Sequence, residues 1–162
     1  PGGKPGMESI HNGIYGLKQE GCKDTDLVLI HDSVRPLLGQ DIISSNIAIC
    51  KAYGYAITGI KCREAILESE DGFSTSVSIP RDKLIRTQTP QTFCLGNIIN
   101  IHEEAKQKGI VDSVASCTLI AEVGGYEMHI VPGSEKNIKI TTVEDLEILK
   151  ALMHTSKDEW LK

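Results

Sequence analysis

Leu27-Val28-Leu29-Ile30-His31-Asp32-Ser33-Val34-Arg35-Pro36 is a run of four apolar residues followed at once by a histidine, an acid, a guanidinium and a proline. The apolar run has the length of a buried strand. Charged residues at the carboxyl end of such a strand belong to the ligand crevice of an open α/β sheet, so one decapeptide bears on both fold class and candidate site. A second stretch, Asn137 to Leu146, reads the same way: a short strand, Asn137-Ile138-Lys139-Ile140, running straight into a helix with a lysine at the junction. Two strand ends of this kind can share one site.

Outward from the first stretch, Glu8 to Gln19 carries Ile10, Ile14 and Leu17 at helical spacing and is closed by Gly21. Asp41 to Tyr53 places Ile42, Ile43, Ile47 and Cys50 on one helical face before Gly54, and Tyr55 to Ile60 reads as a second buried strand. This alternation implies parallel pairing of the two strands. Leu95 to Lys108 is an amphipathic helix with Ile98, Ile101, His102 and Ala105 inward and Gly109 at its end. Asp112 is expected to cap a helix reaching about Val123, and Gly124-Gly125 leads into a strand over Tyr126 to Val131. The last helix is expected to start at a Thr141-x-x-Glu144 capping box and to present Leu146, Leu149, Leu152 and Met153 on one side.

Between Arg63 and Arg86 the pattern changes to Ala65-Ile66-Leu67-Glu68, the turn signal Asp71-Gly72, and an alternating run from Phe73 to Ile79 stopped by Pro80. This predicts a protruding hairpin. Two strands alone are marginal in water, so the arm is expected to pack on a partner subunit. Thr89-Pro90 reads as a turn.

The 162 residues fit a single domain over 1–162. A net charge of −5 gives no global basic field for a phosphate backbone, which argues against nucleic acid as a partner. No apolar stretch approaches the roughly 20 residues of a membrane span, so no membrane association is expected and the cytoplasm is the expected setting. The five cysteines, Cys22, Cys50, Cys62, Cys94 and Cys117, form no Cys-x-x-Cys pair and read as reduced core thiols. Neither a His-Glu-x-x-His metal motif nor a Gly-x-Ser-x-Gly elbow occurs, which disfavours zinc and serine hydrolase chemistry, and no protein metal ligands are assigned.

Four blocks carry a family resemblance. His31 to Pro36, Thr89-Pro90-Gln91-Thr92-Phe93, Asn137-Ile138-Lys139-Ile140-Thr141, and Gly2-Gly3-Lys4 with Glu8-Ser9-Ile10 and Asn12-Gly13 are similar in order and spacing to the signature segments of the methylerythritol phosphate and ribitol phosphate cytidylyltransferases. The resemblance implies an α/β, Rossmann-like three-layer nucleotidyltransferase fold, with a mostly parallel sheet and an inserted β-arm at about 63–86. It implies transfer of CMP from CTP to a polyol phosphate, with release of pyrophosphate and with Mg²⁺ accompanying CTP. It also implies a homodimer joined through the arm.

Residue by residue, the resemblance gives catalytic roles to Lys139, Arg81 and Asp32. Asp32 meets polyol hydroxyls or the metal-nucleotide end, Arg35 orients that acid, and Lys139 meets phosphate. Arg81 reaches across the dimer to the substrate phosphate, Thr89 offers it a hydroxyl, and Gly2, Gly3 and Ser9 contact the base.

The departures matter equally. The family's first strand and its glycine-rich phosphate loop have no counterpart here, so the chain is expected to be an N-terminally truncated piece of something longer and inactive by itself. Position 65 is alanine where the methylerythritol phosphate enzymes carry threonine, and Val111-Asp112 stands for Thr-Asp. The acceptor is therefore left open, and with it the choice between isoprenoid precursor and cell-wall polymer synthesis.

Plainer readings stand beside these. Asp32 and Arg35 also describe an ion pair closing a turn, Lys139 a solvated charge, and Arg81 a polar hairpin foot, while His31 reads as structural. As alternatives for the whole chain, a non-catalytic dimerisation scaffold and a nucleotidyltransferase with another base or acceptor both fit.

Overall fold

A computed structural model describes residues 6–111 and 113–154. Helix α1 (Gly6–Gln19) buries Met7 and Ile14, one heptad apart. It ends as the sequence indicates: Gly21 at φ 91° lets Cys22 N–H reach Leu17 C=O and Gly21 N–H reach Lys18 C=O, closing the last carbonyls of the helix. Strand β1 (Leu27–Ile30) follows, then α2 (Gln40–Tyr53) and β2 (Tyr55–Lys61). The arm is the two-stranded antiparallel sheet of β3 (Ile66–Glu68) and β4 (Val77–Ile79), and a 3₁₀ turn at Arg81–Lys83 returns the chain to β5 (Ile85–Cys94). The remaining elements are α3 (Leu95–Gln107), α4 (Ser116–Val123), β6 (His129–Pro132) and α5 (Val143–His154).

The main sheet has the order β1-β5-β2-β6. β2 and β6 pair in parallel, whereas β5 pairs antiparallel with both β1 and β2. Three strands therefore share one direction, and β5 runs against them in the middle. Helices cover both faces: α1, α3 and α4 pack on Ile57 and Phe93 on one side, and Cys50 of α2 packs with Ala56 and Val131 on the other. This is the expected α/β three-layer arrangement with its inserted arm.

The structure corrects several local expectations. β1 and β2 run parallel but are not neighbours, because β5 inserts between them and bonds to both. Thr89-Pro90 is not a turn. It lies within β5, in the long stretch from Gln88 to Phe93 whose residues are all buried. Proline offers no N–H to the ladder, and the β2–β5 register shifts between Ile57 and Gly59 beside it.

Residues 137–140 form no strand; they are an irregular connection held by side chains and by Ile140 N–H to Val34 C=O. The last capping box is displaced by one residue. Thr142 Oγ1 accepts the Asp145 N–H, while Asp145 Oδ2 accepts the N–H groups of Thr141 and Thr142, and these bonds, Thr141's foremost, hold the Asp145 carboxyl below its ordinary range. Helix α5 has no buried residue, and Leu146 and Met153 are exposed. Helix α4 starts at Ser116, where the Thr118 hydroxyl accepts the Ala115 N–H, and Asp112 lies outside the described residues. All five cysteines are free thiols; Cys22 and Cys94 are only half-buried.

One buried histidine makes acid stability predictable. His102, on the inner face of α3, is 8% exposed, its Nε2 has no partner among the described residues, and His11 lies edge-on to it. Burial first, and the neighbouring His11 second, push its pKa down to about 4 against a weaker opposing pull from Glu103. The unfolded chain, with an ordinary imidazole near 6.5, binds the proton first as pH falls. Stability is therefore predicted to hold above about pH 6.5 and to decline from there toward pH 4. Urea midpoints at pH 7 and pH 5 measure this, and His102→Phe should flatten the slope; an equal slope in the variant assigns the loss elsewhere.

Candidate functional site

Three segments converge at one end of the sheet: the loop after β1, the middle of β5, and the connection after β6. His31 Nε2 donates to the Arg35 carbonyl at 3.0 Å, and with the proton on that nitrogen, Nδ1 accepts the Thr89 hydroxyl at 3.0 Å. The same Thr89 oxygen accepts the Asp32 N–H at 3.0 Å. Thr89 thus spends its hydroxyl on the loop that carries Asp32, and His31 is structural, as read from the sequence.

Asp32 Oδ2 is the acceptor for two cations. Arg35 Nε lies 3.1 Å away and Lys139 Nζ 3.4 Å away. They differ in freedom. The Arg35 side chain is 11% exposed and also donates through Nη1 to the Asn137 carbonyl at 2.7 Å, across 102 residues of sequence. The Lys139 side chain is 49% exposed, and its one ion pair among the described residues is the loose contact to Asp32. An ammonium has three donors on a flexible stem, so Lys139 is the group free to turn toward an anion while Arg35 stays fixed.

The cavity at this point has a volume of about 310 Å³ and is lined by Arg35, Arg86, Gln88, Asn137, Lys139 and Asp145 among others. Glu135 also lines it and pairs with Arg86 at 2.6 Å, both side chains about half exposed. On the far side of that pair is a larger cavity of about 780 Å³, whose cations are Lys61, Arg63 and Arg81. Arg81 Nη1 donates to the Arg63 carbonyl. The structure therefore brings Asp32, Arg35, Thr89 and Lys139 together and places Arg81 in the adjoining cavity at the foot of the arm. Ser9 is exposed on α1, and Gly2 and Gly3 lie outside the described residues.

The sequence alone assigns no role to Gln88 and Asn137. Both are buried, at 6% and 0% exposure; Gln88 ties β5 to the turn before Lys139, and Asn137 ties that turn to Thr89 and to Arg35 of the Asp32 loop. The available signal was the polarity of Gln88-Thr89-Pro90-Gln91-Thr92 inside an otherwise strand-like run, since buried polar side chains demand partners.

A metal cage is not built here: no group of three or more His, Cys, Asp or Glu that could hold an ion exists among the described residues.

Comparison with known proteins points in one direction. The sequence profile of the family described as 2-C-methyl-D-erythritol 4-phosphate cytidylyltransferase matches residues 1–155. A ribitol-5-phosphate cytidylyltransferase of Streptococcus agalactiae is 36% identical over 158 residues, which is 98% of this chain and 65% of the relative. A 2-C-methyl-D-erythritol 4-phosphate cytidylyltransferase of Clostridium botulinum is 38% identical over 148 residues, 90% of this chain and 61% of the relative. The chain thus spans a little under two thirds of the length of these relatives. Among solved structures, the 2-C-methyl-D-erythritol 4-phosphate cytidylyltransferase of Francisella tularensis superposes with a TM-score of 0.81 at 27% identity, covering 93% of this chain and 69% of that one.

The contrast between the two cations is testable by stability alone. Arg35→Met leaves the Asp32 carboxylate and the Asn137 carbonyl short of a donor in a confined place and is predicted to cost about 1–3 kcal/mol. Lys139→Met breaks a half-exposed pair and is predicted to cost under about 1 kcal/mol. Chemical denaturation of the two variants, side by side, checks the order.

Proposed function

The chain belongs to the 2-C-methyl-D-erythritol 4-phosphate cytidylyltransferase family, and on that premise we propose that the protein transfers CMP from CTP to a polyol phosphate, releasing pyrophosphate. The observation that carries this reading is the Lys139–Asp32 contact at 3.4 Å, an exposed ammonium that lines the cavity and a carboxylate brought to it from a distant segment. In the reaction, an oxygen of the acceptor's phosphate attacks the α-phosphorus of CTP, a new P–O bond forms, and the bond to the β-phosphate breaks with pyrophosphate as the leaving group. Such transfers are accelerated chiefly by positioning and by fixed charge.

In this reading Lys139 swings from Asp32 to the acceptor's phosphate, Asp32 then takes a polyol hydroxyl, and Arg35 keeps the carboxylate in place. Thr89 serves as support for the Asp32 loop rather than as a phosphate contact. Ser9, with Gly2 and Gly3, is assigned to the base. Mg²⁺ accompanying CTP would be held by the nucleotide's own oxygens and would supply neutralising charge on the triphosphate. The acceptor is ribitol 5-phosphate or methylerythritol 4-phosphate, since relatives bearing either name match at similar identity; Ala65, which departs from the methylerythritol phosphate pattern, favours trying ribitol 5-phosphate first. No helix among the described residues is long and apolar enough to cross a membrane, and the proposal places the reaction in the cytoplasm, among soluble substrates.

Arg81 enters through a second subunit. The arm exposes Phe73 at 96%, Leu67 at 60% and Val77 at 50%, on a two-stranded sheet that is marginal when unpacked. Exchange of arms between two copies covers that surface and carries each Arg81 toward the other copy's Lys139. A sedimentation mass of two chains is expected, and a monomeric mass removes the exchange.

Pyrophosphate release by the full-length protein, with CTP and each polyol phosphate, is the direct assay. Lys139→Ala and Arg81→Ala are predicted to lower kcat/KM for the acceptor by about 10²–10³-fold, the scale of a lost charge at a reacting phosphate. Unchanged kinetics for both variants, or no release with either acceptor, overturns the assignment.

A further inference from the structure

The reach of Lys139 depends on the height at which its backbone is held over Asp32, and the turn just before it is bonded to β5. The connection after β6 turns at Ser134, where Asn137 N–H closes back on Ser134 C=O at 3.0 Å. Into this turn β5 inserts the carboxamide of Gln88. Its Oε1 accepts the Ser134 N–H at 3.2 Å, and its Nε2 donates to the Ser134 carbonyl at 2.9 Å and to the Asn137 carbonyl at 3.3 Å. The side chain thus engages both the donor and the acceptor of one residue, as a neighbouring strand would. Two residues further on is Lys139.

The seat is made to measure. A Cβ at Gly133 would lie 2.3 Å from Gln88 Oε1 and 2.9 Å from Thr58 Cγ2, closer than real atoms approach, so residue 133 must be glycine for the carboxamide to fit. Asn137 is fixed from the other side as well, by its Nδ2 donating to the Thr89 carbonyl at 2.8 Å. With Gln88 in place, the lysine is strung between an anchored Asn137 and an anchored Ile140. Without it, Ser134 loses both of its bonds from β5, and the turn is left to its own hydrogen bonds and to those of Asn137 with Thr89 and Arg35.

We infer that Gln88 is a positioning residue for the acceptor's phosphate: its buried carboxamide, seated against Gly133, fixes the Ser134–Asn137 turn and through it the reach of Lys139. This inference rests on the proposed function. It requires that Gln88 act through Lys139 and not through the fold at large, which distinguishes it from an ordinary buried amide.

A double-mutant cycle in the full-length protein decides the matter, with ribitol 5-phosphate and methylerythritol 4-phosphate as the acceptors and pyrophosphate release as the readout. Gln88→Met keeps the length of the side chain and removes its bonds; Gly133→Ala leaves Gln88 unaltered and takes its seat. Each is expected to raise the KM for the acceptor about tenfold, with kcat and the KM for CTP changed by less than about threefold. In a Lys139→Ala background neither change should raise the acceptor KM further, because the group being positioned is already gone.

Full multiplication of the effects in that background overturns the inference, and so does a rise in the KM for CTP that matches the rise for the acceptor. An unchanged acceptor KM in either variant also overturns it, while a response to Lys139→Ala alone leaves the functional reading standing. If Lys139→Ala itself has no effect, both fall together.

Discussion

Strand β5 sits between β1 and β2 with helices on both sides, and from Gln88 to Thr92 its side chains are polar apart from one proline. Burying a hydroxyl or an amide without a partner costs on the order of 1–3 kcal/mol, so each of these groups has to be answered by a specific bond from elsewhere. Thr89 is answered by His31 and Asp32, Gln88 by the Ser134–Asn137 turn, Gln91 by the Cys117 N–H at the start of α4, and Thr92 by Asn46 of α2. A strand that elsewhere would be apolar core has become a row of cross-links, and the site exists because two of its loops are the partners.

The same constraint accounts for the rest of the middle layer. Asn46 is wholly buried in α2, where an amide is a poor choice unless satisfied; its Nδ2 donates to Thr58 Oγ1 at 2.8 Å, and that hydroxyl donates in turn to the Pro90 carbonyl at 2.6 Å. The bond reaches the point where the proline and the register shift leave the β2–β5 ladder short of backbone partners. A polar network closed in this way is rigid, and it lies beside the segments that carry Asp32 and Lys139. Charge is graded outward from it: Arg35 is locked against Asp32 and a carbonyl, while Lys139, half exposed, keeps its freedom.

Much of this was legible in the chain. The β1 run with its charged tail, the helices with their terminal glycines, and the hairpin between Arg63 and Arg86 stand where periodicity and turn chemistry put them, because each is decided by residues within a few positions of one another. The errors share a cause. Thr89-Pro90 read as a turn, and 137–140 read as a strand, since local rules score proline as a breaker and Ile-Lys-Ile as extended and apolar. The capping box moved from Thr141–Glu144 to Thr142–Asp145, a one-residue difference that two adjacent threonines and two adjacent acids leave undecided.

By itself the sequence offered Asp32, Arg35, Arg81 and Lys139 as candidates, and indicated that an α/β layer would present the first of them at a strand end. The tertiary structure alone decided that Arg35 faces inward while Lys139 stays free, that Arg81 stands in a neighbouring cavity, and that Gln88 and Asn137 belong with them. The reason is physical. A hydrogen bond across the sheet depends on which strands become neighbours, and the placing of β5 between β1 and β2 is set by packing of the whole chain rather than by any segment of it.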